Sequence, residues 1–109
     1  MKSEIKFAEA KIEKALQELK NSKTEDKQLH KWICRAFEDL EANAFCGIRI
    51  KKQLISRVYI EKYGIDNLWK YDLPKSWRLI YSVTNGQICV LSIILEWMDH
   101  KNYERRFKY

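Results

Sequence analysis

The apolar positions of this chain change their period several times, and each change predicts an element. Ile5 and Phe7 alternate with charged neighbours, the mark of a short edge strand. From Ala8 the spacing becomes helical: Ala8, Ile12, Ala15, Leu16 and Leu19 fall on one face. Asn21-Ser22-Lys23 breaks that pattern. Thr24 then reads as an N-cap, with Glu25 and Asp26 complementing the helix dipole in the first turn. Leu29, Trp32, Ile33, Ala36, Phe37 and Leu40 follow at i, i+3, i+4, i+7, i+8 and i+11, the clearest amphipathic helix in the chain. It is predicted to end near Phe45, with Gly47 as its C-terminal cap. Two helices joined by a short polar link predict an antiparallel helical hairpin.

The segment 48–63 has no single period; Leu54, Ile55, Val58 and Tyr59 fit one helical face that Gly64 would end. A strand is predicted at about Leu68–Leu73, and Pro74-Lys75-Ser76 turns the chain. Trp77, Leu79, Tyr81 and Val83 alternate with Arg78, Ile80 and Ser82, a strand of period two. Asn85-Gly86 is a strong hairpin signal, because a type I′ turn needs positive φ at both central residues. Gln87–Leu95 is the partner strand, and its nearly unbroken apolar run predicts a central strand covered on both faces. Asp99 reads as the cap of a short C-terminal helix through Tyr103 toward Phe107. There are no repeats and no low-complexity linkers. The predicted fold is α+β: a helical hairpin packed on one face of a small, mainly antiparallel sheet.

A two-residue turn at Asn85-Gly86 sets a register. Val83 faces Ile88, Tyr81 faces Val90, and Arg78 faces Ile93. Arg78 then shares a face with Ile80, Ser82, Cys89 and Leu91. An arginine among aliphatics in mid-sheet is costly unless it snorkels or meets an anion. Two readings follow: an anion-binding arginine, or a structural salt bridge to Asp72 on the neighbouring strand.

Length and composition narrow the classes. A chain of 109 residues, 46% hydrophobic and 13% aromatic, is expected to form a single domain over 1–109 with a real core, which excludes global disorder. No stretch approaches the roughly 18 consecutive apolar residues of a membrane span. The first 20 residues are charged throughout and hold no signal-peptide apolar region, so a cytoplasmic protein is expected. Cys34, Cys46 and Cys89 show no C-x-x-C and no metal-ligand spacing; they read as reduced, partly buried thiols, and no metal or cofactor is expected. Residues 1–45 carry nine Lys/Arg and nine Asp/Glu, whereas residues 46–109 carry twelve and six, so the whole net charge of +6 sits in the second part. That asymmetry points to an anionic partner or to a lysine-rich solvated surface.

The stretch Trp69–Phe107 holds the candidate chemistry: Lys70, Lys75, Trp77, Arg78, His100, Tyr103, Arg105 and Arg106. Lys, Arg, His and Tyr handle a phosphodiester without a metal. Each also has a plain structural reading. Lys70 and Lys75 fit surface positions, and Lys51-Lys52 fits either an RNA contact or a solvated pair. His100 fits a hydrogen-bonded helix start, and Tyr103 fits packing on a sheet edge. Arg105-Arg106 fits nucleic-acid contact or compensation of a helix dipole. Trp69, Trp77 and Trp97 fit core or sheet-edge aromatics, with Trp77 the best placed to stack on a base.

The run SWRLIYSV, then NGQICVLSIIL, then DHKNYERRF resembles the RelE/ParE superfamily of toxins from toxin–antitoxin pairs. The resemblance covers most of the chain: a short strand, a helical hairpin, a three-strand antiparallel meander and a short C-terminal segment. It implies a RelE-like endoribonuclease that cuts mRNA, usually on the ribosome, without a metal. In that chemistry the 2′-OH attacks the adjacent phosphate and leaves a 2′,3′-cyclic phosphate, which needs a base, positive charge on the transition state and an acid. The resemblance gives Arg78 the phosphate-binding role and Lys70 a basic role on the preceding strand. Tyr103 corresponds to the C-terminal tyrosine, and His100 is the natural general acid or base. Lys51, Lys52, Lys75, Trp77, Arg105 and Arg106 would contact RNA. The implied partners are a cognate antitoxin protein, mRNA and the ribosome, with DNA reached only through the antitoxin. ParE-like members share the fold, lack the nuclease residues and act on DNA gyrase; an inactive toxin remnant is a further alternative.

Overall fold

The computed structural model describes residues 3–95. Along the chain lie β1 (Glu4–Phe7), α1 (Ala10–Lys20), α2 (Thr24–Ala42), β2 (Ile48–Arg49), α3 (Arg57–Tyr63), β3 (Trp69–Asp72), β4 (Trp77–Thr84) and β5 (Gln87–Leu95). Short 3-10 turns occupy Lys52–Leu54 and Pro74–Ser76. The architecture is α+β, with a mixed five-stranded sheet in the order β1-β5-β4-β3-β2. β1 runs parallel to β5, and the other pairs are antiparallel. The predicted C-terminal helix from Asp99 falls outside the described residues.

The β4–β5 hairpin forms as its turn chemistry dictates. Asn85 has φ 50° and Gly86 φ 75°, the two positive values a type I′ turn requires. From the turn the pairing runs Thr84 with Gln87, Val83 with Ile88, Ser82 with Cys89 and Tyr81 with Val90. A bulge between Ile80 and Tyr81 then shifts the register, so Arg78 pairs with Ile94. The predicted partner, Ile93, instead lies opposite Leu79. A uniform ladder cannot foresee this, because a bulge adds one residue to one strand only.

Each face of the sheet carries its own apolar layer. On one side Leu79, Tyr81, Ile88 and Val90 pack against Leu16, Leu29, Ile33, Ala36 and Leu40 of the helical hairpin. On the other, Ile80 and Leu91 pack with Ile50, Ile55 and Leu68, flanked by Tyr59 and Tyr63 of α3. The hairpin occupies one face as predicted. The third helix, which the ambiguous segment only hinted at, covers the second face. This explains why β5 is apolar at nearly every position: it lies between two strands and under two layers.

Three local expectations need correction. Thr24 is the first residue of α2, not its cap; Lys23 holds that position without a capping side chain. The Ser22 hydroxyl donates instead to Asp26 Oδ2, at 2.7 Å. α2 ends at Ala42 rather than near Phe45, with Asn43 in extended conformation. Asn43 accounts for the early stop, because its Oδ1 accepts a hydrogen bond from the Phe45 amide, a local turn that competes with helix. Gly47 is therefore not a helix cap. A Cβ built on it would collide with the Tyr81 hydroxyl and lie 2.6 Å from the Lys70 carbonyl oxygen. The absent side chain lets the chain cross closely over β3 and β4 before entering β2. There the Tyr81 hydroxyl donates to the Ala44 carbonyl at 3.0 Å, and burial pushes the phenol well up from its ordinary value. Gly64 does end α3 as predicted, and Ser56 caps its start by accepting from the Val58 amide at 3.2 Å.

Gly47→Ala is expected to destabilise the fold by about 2 kcal/mol, because both colliding groups are held in place. Urea unfolding of the two proteins measures this; an unchanged midpoint would show that the crossing has room to spare.

Candidate functional site

The sheet brings Lys70, Asp72 and Arg78 together on the α3 face near one end. Asp72 pairs directly across from Arg78, and Lys70 pairs with Ile80. Lys70 and Arg78 are thus diagonal neighbours on adjacent strands, a relation that places Cβ atoms roughly 7–8 Å apart. Arg78 Nη1 lies 2.9 Å from Asp72 Oδ1, with side-chain exposures of 17% and 52%. The ion pair expected as one of two readings of Arg78 is therefore present. The solvent-facing carboxylate leaves the pair at the rim of the sheet. There a Coulomb contact is screened and worth on the order of 1 kcal/mol or less.

The other candidate residues are scattered. Lys75 is exposed in the β3–β4 turn at φ 61°, followed by Ser76 at φ 65°. Trp77 turns toward the opposite face and packs on the helical-hairpin core, so it does not share a surface with Arg78. Lys51 and Lys52 are exposed after β2. Lys52 lines a groove with Asn85 and Gly86 at the hairpin tip. The tip lies seven strand residues from Arg78, or roughly 23 Å. Lys52 and Arg78 therefore belong to different ends of the sheet. His100, Tyr103, Arg105 and Arg106 lie outside the described residues.

Two arrangements carry no sequence signal because their members are far apart in the chain. The first joins the loop before α1 to α3. Tyr63 donates its hydroxyl to Glu9 Oε2 at 2.9 Å, Lys62 Nζ lies 3.1 Å from Glu9 Oε1, and Lys11 Nζ lies 3.5 Å from Oε2. Hydrogen bonds from Lys62 and then Tyr63 hold the Glu9 carboxyl below its ordinary value of 4.5. Partial burial, then the bond to Glu9, push the Tyr63 phenol up. This cluster borders an apolar groove of about 520 Å³ between α1, α3 and the part of β5 beyond its pairing with β1. The second is a polar splice beside the hairpin tip. Asn67 Oδ1 accepts from the Val83 amide and its Nδ2 donates to the Val83 carbonyl, both at 2.9 Å. One side chain thus reproduces a strand's pair of ladder bonds just before β3 begins.

Among the described residues no group of three or more His, Cys, Asp or Glu is placed to hold a metal ion, and no helix is long and apolar enough to cross a membrane. The three cysteines are free thiols, and burial raises each above its ordinary value of 9.0. No protein-family model, curated protein or solved structure matches this chain.

The Glu9 cluster has a definite pH signature. A carboxyl held low stabilises the fold fully above its unfolded value, and that contribution disappears as pH falls through the folded one. Thermal melts of the native protein and Glu9→Gln should therefore differ near neutrality and converge as pH drops below 4.5. A gap that persists unchanged into acid would show that the carboxylate's charge contributes nothing.

Proposed function

We propose that this protein is a RelE-like toxin, a metal-independent endoribonuclease whose α3-side sheet face engages the scissile phosphate of mRNA. The observation that carries the reading is the diagonal placement of Lys70 and Arg78 on β3 and β4. Two cations on one rigid face, at the rim of a sheet, form a site for the charge that builds on a pentacoordinate phosphorus. Arg78 exchanges its carboxylate partner for the phosphate, and the exposed Asp72 returns to water. The 2′-oxygen forms its bond to phosphorus as the bond to the 5′-oxygen breaks. A base takes the 2′-proton and an acid supplies one to the leaving 5′-oxygen, so the products are a cyclic phosphate and a 5′-hydroxyl. His100 and Tyr103 are assigned to proton transfer and base stacking. Chain connectivity supports this: Arg78 pairs with Ile94, and His100 is six residues further on, a reach of at most roughly 20 Å. The protein acts in the cytoplasm, with the ribosome as the place of cleavage. An antitoxin with an acidic, amphipathic segment silences it by covering the cationic face.

The Asp72–Arg78 ion pair favours a second reading, in which the arginine is structural. The protein is then a non-catalytic toxin of the ParE kind, acting on gyrase, or an inactive remnant.

Arg78→Ala and Asp72→Asn separate the readings. Under the nuclease reading, Arg78→Ala lowers RNA cleavage about 100-fold or more, while Asp72→Asn leaves cleavage intact because the arginine stays. Mapping cyclic-phosphate ends on RNA from induced cells, alongside melts of both variants, measures this. Equal loss of stability in both variants, with no cleavage by the native protein, would favour the structural arginine.

A further inference from the structure

At the hairpin end of the sheet, aromatic rings run outward from the core to solvent. Buried Tyr81 stacks on Trp69, with centroids 6.3 Å apart and planes at 20°. Trp69 in turn meets Phe45 at 5.3 Å and 54°. Phe45 is 62% exposed, the largest value among the bulky apolar side chains of the described residues that stand out from the core. The Arg49 guanidinium sits 5.9 Å from the Trp69 ring centroid. These groups open into a groove of about 440 Å³ that also takes in Lys52 and Asn85. Asp66 lines it too, with its Oδ1 accepting from Asn67 Nδ2 at 2.7 Å.

We propose that this groove binds an unpaired nucleotide of a single-stranded nucleic acid, with the base on Phe45 and Trp69 and the phosphate at Arg49 and Lys52. The exposed Phe45 ring, with Trp69 tilted behind it, offers an aromatic face, and any base has a π-face to place on it. The cations stand at its border, as a backbone phosphate requires, and they outnumber the single carboxylate, which is already hydrogen-bonded. The ring stack is anchored in the core through Tyr81, so the platform is ordered before the ligand arrives. An aromatic–acidic peptide is the competing occupant. The edge strand β2 beside the groove has only two residues and offers little ladder for a peptide backbone, which favours the nucleotide. Trp69 pairs with Tyr81 on the helical-hairpin face, whereas Arg78 lies on the α3 face, and the inference does not rest on the nuclease reading.

Titration of the isotope-labelled full chain with tetrauridylate, followed by amide and indole NMR shifts, tests it. Four nucleotides suffice to load the groove, and the response is read at its own resonances, on the opposite sheet face from Arg78. The largest shifts are expected at Phe45, Arg49 and the Trp69 indole. Phe45→Ala should raise the Kd about 10-fold, and Phe45→Tyr should keep it near native, because the tyrosine ring still stacks. Arg49→Gln should reduce the salt dependence of log Kd by about 0.7. Thermal melts check that each variant folds; should Phe45→Ala fail to fold, Arg49→Gln and Phe45→Tyr carry the test. Native affinity in both Phe45→Ala and Arg49→Gln would overturn the proposal. So would shifts confined to other surfaces, or saturation by an acidic aromatic peptide with no response to the oligonucleotide.

Discussion

Everything in this protein is built on the β4–β5 hairpin and on the bulge that interrupts it. The Asn85-Gly86 turn sets Tyr81 opposite Val90 and Ser82 opposite Cys89, so alternate residues face opposite ways. A one-residue slip would send Leu79 and Tyr81 away from the helical hairpin and Ile80 into it. Both apolar layers would be lost together. The bulge at Ile80/Tyr81 then displaces the far end by one residue and sets Arg78 beside Ile94. The two ends of one hairpin thereby acquire different chemistry: an ion-paired arginine at one, an aromatic groove with a guanidinium at the other.

The attachments to this spine are few and specific. Tyr81 ties the chain after α2 to the sheet through the Ala44 carbonyl, and Gly47 gives that crossing its closeness. Tyr71 of β3 donates to Asp39 of α2, a bond that raises the phenol to about 12 and links the helical layer to the sheet rim. Asn67 replaces a strand's ladder pair with one amide side chain. Glu9 links the loop before α1 to α3 across the sheet edge. Each joins segments distant in sequence, so each adds long-range order that the short strands β1 and β2 cannot supply alone.

How much of this was legible beforehand follows from range. The Asn85-Gly86 turn, the alternation in β4 and the heptad-like spacing of α2 are local signals, and the elements they predict are present. α3 and β2 were blurred because the segment 48–63 mixes exposed apolar residues, Ile48, Val58 and Ile60, with a core contribution from Ile50 and Ile55. Thr24 and Gly47 were misread as caps because capping rules see only neighbours, whereas Gly47 answers to Tyr81 and the Lys70 carbonyl. For the candidate site, alternation is enough to put Arg78 on a definite face and to offer Asp72 as its partner, whereas Lys70 joins them only through the β3–β4 register. Nothing local tells that Lys52 belongs with the hairpin tip, that Trp77 turns to the helical side, or that Phe45 and Arg49 flank Trp69. Those relations depend on how β2 pairs with β3.

The central claim is that the β4–β5 hairpin, buried on both faces, is the element on which all others assemble. Native-state hydrogen exchange resolved to single amides tests it most directly. Slowest exchange is predicted for the ladder amides of Leu79–Val83 and Ile88–Val90, at the rate set by global unfolding, with β1, β2 and α3 opening more readily. Slowest exchange in α1 and α2, with β4 and β5 exchanging through a lower-energy opening, would contradict it.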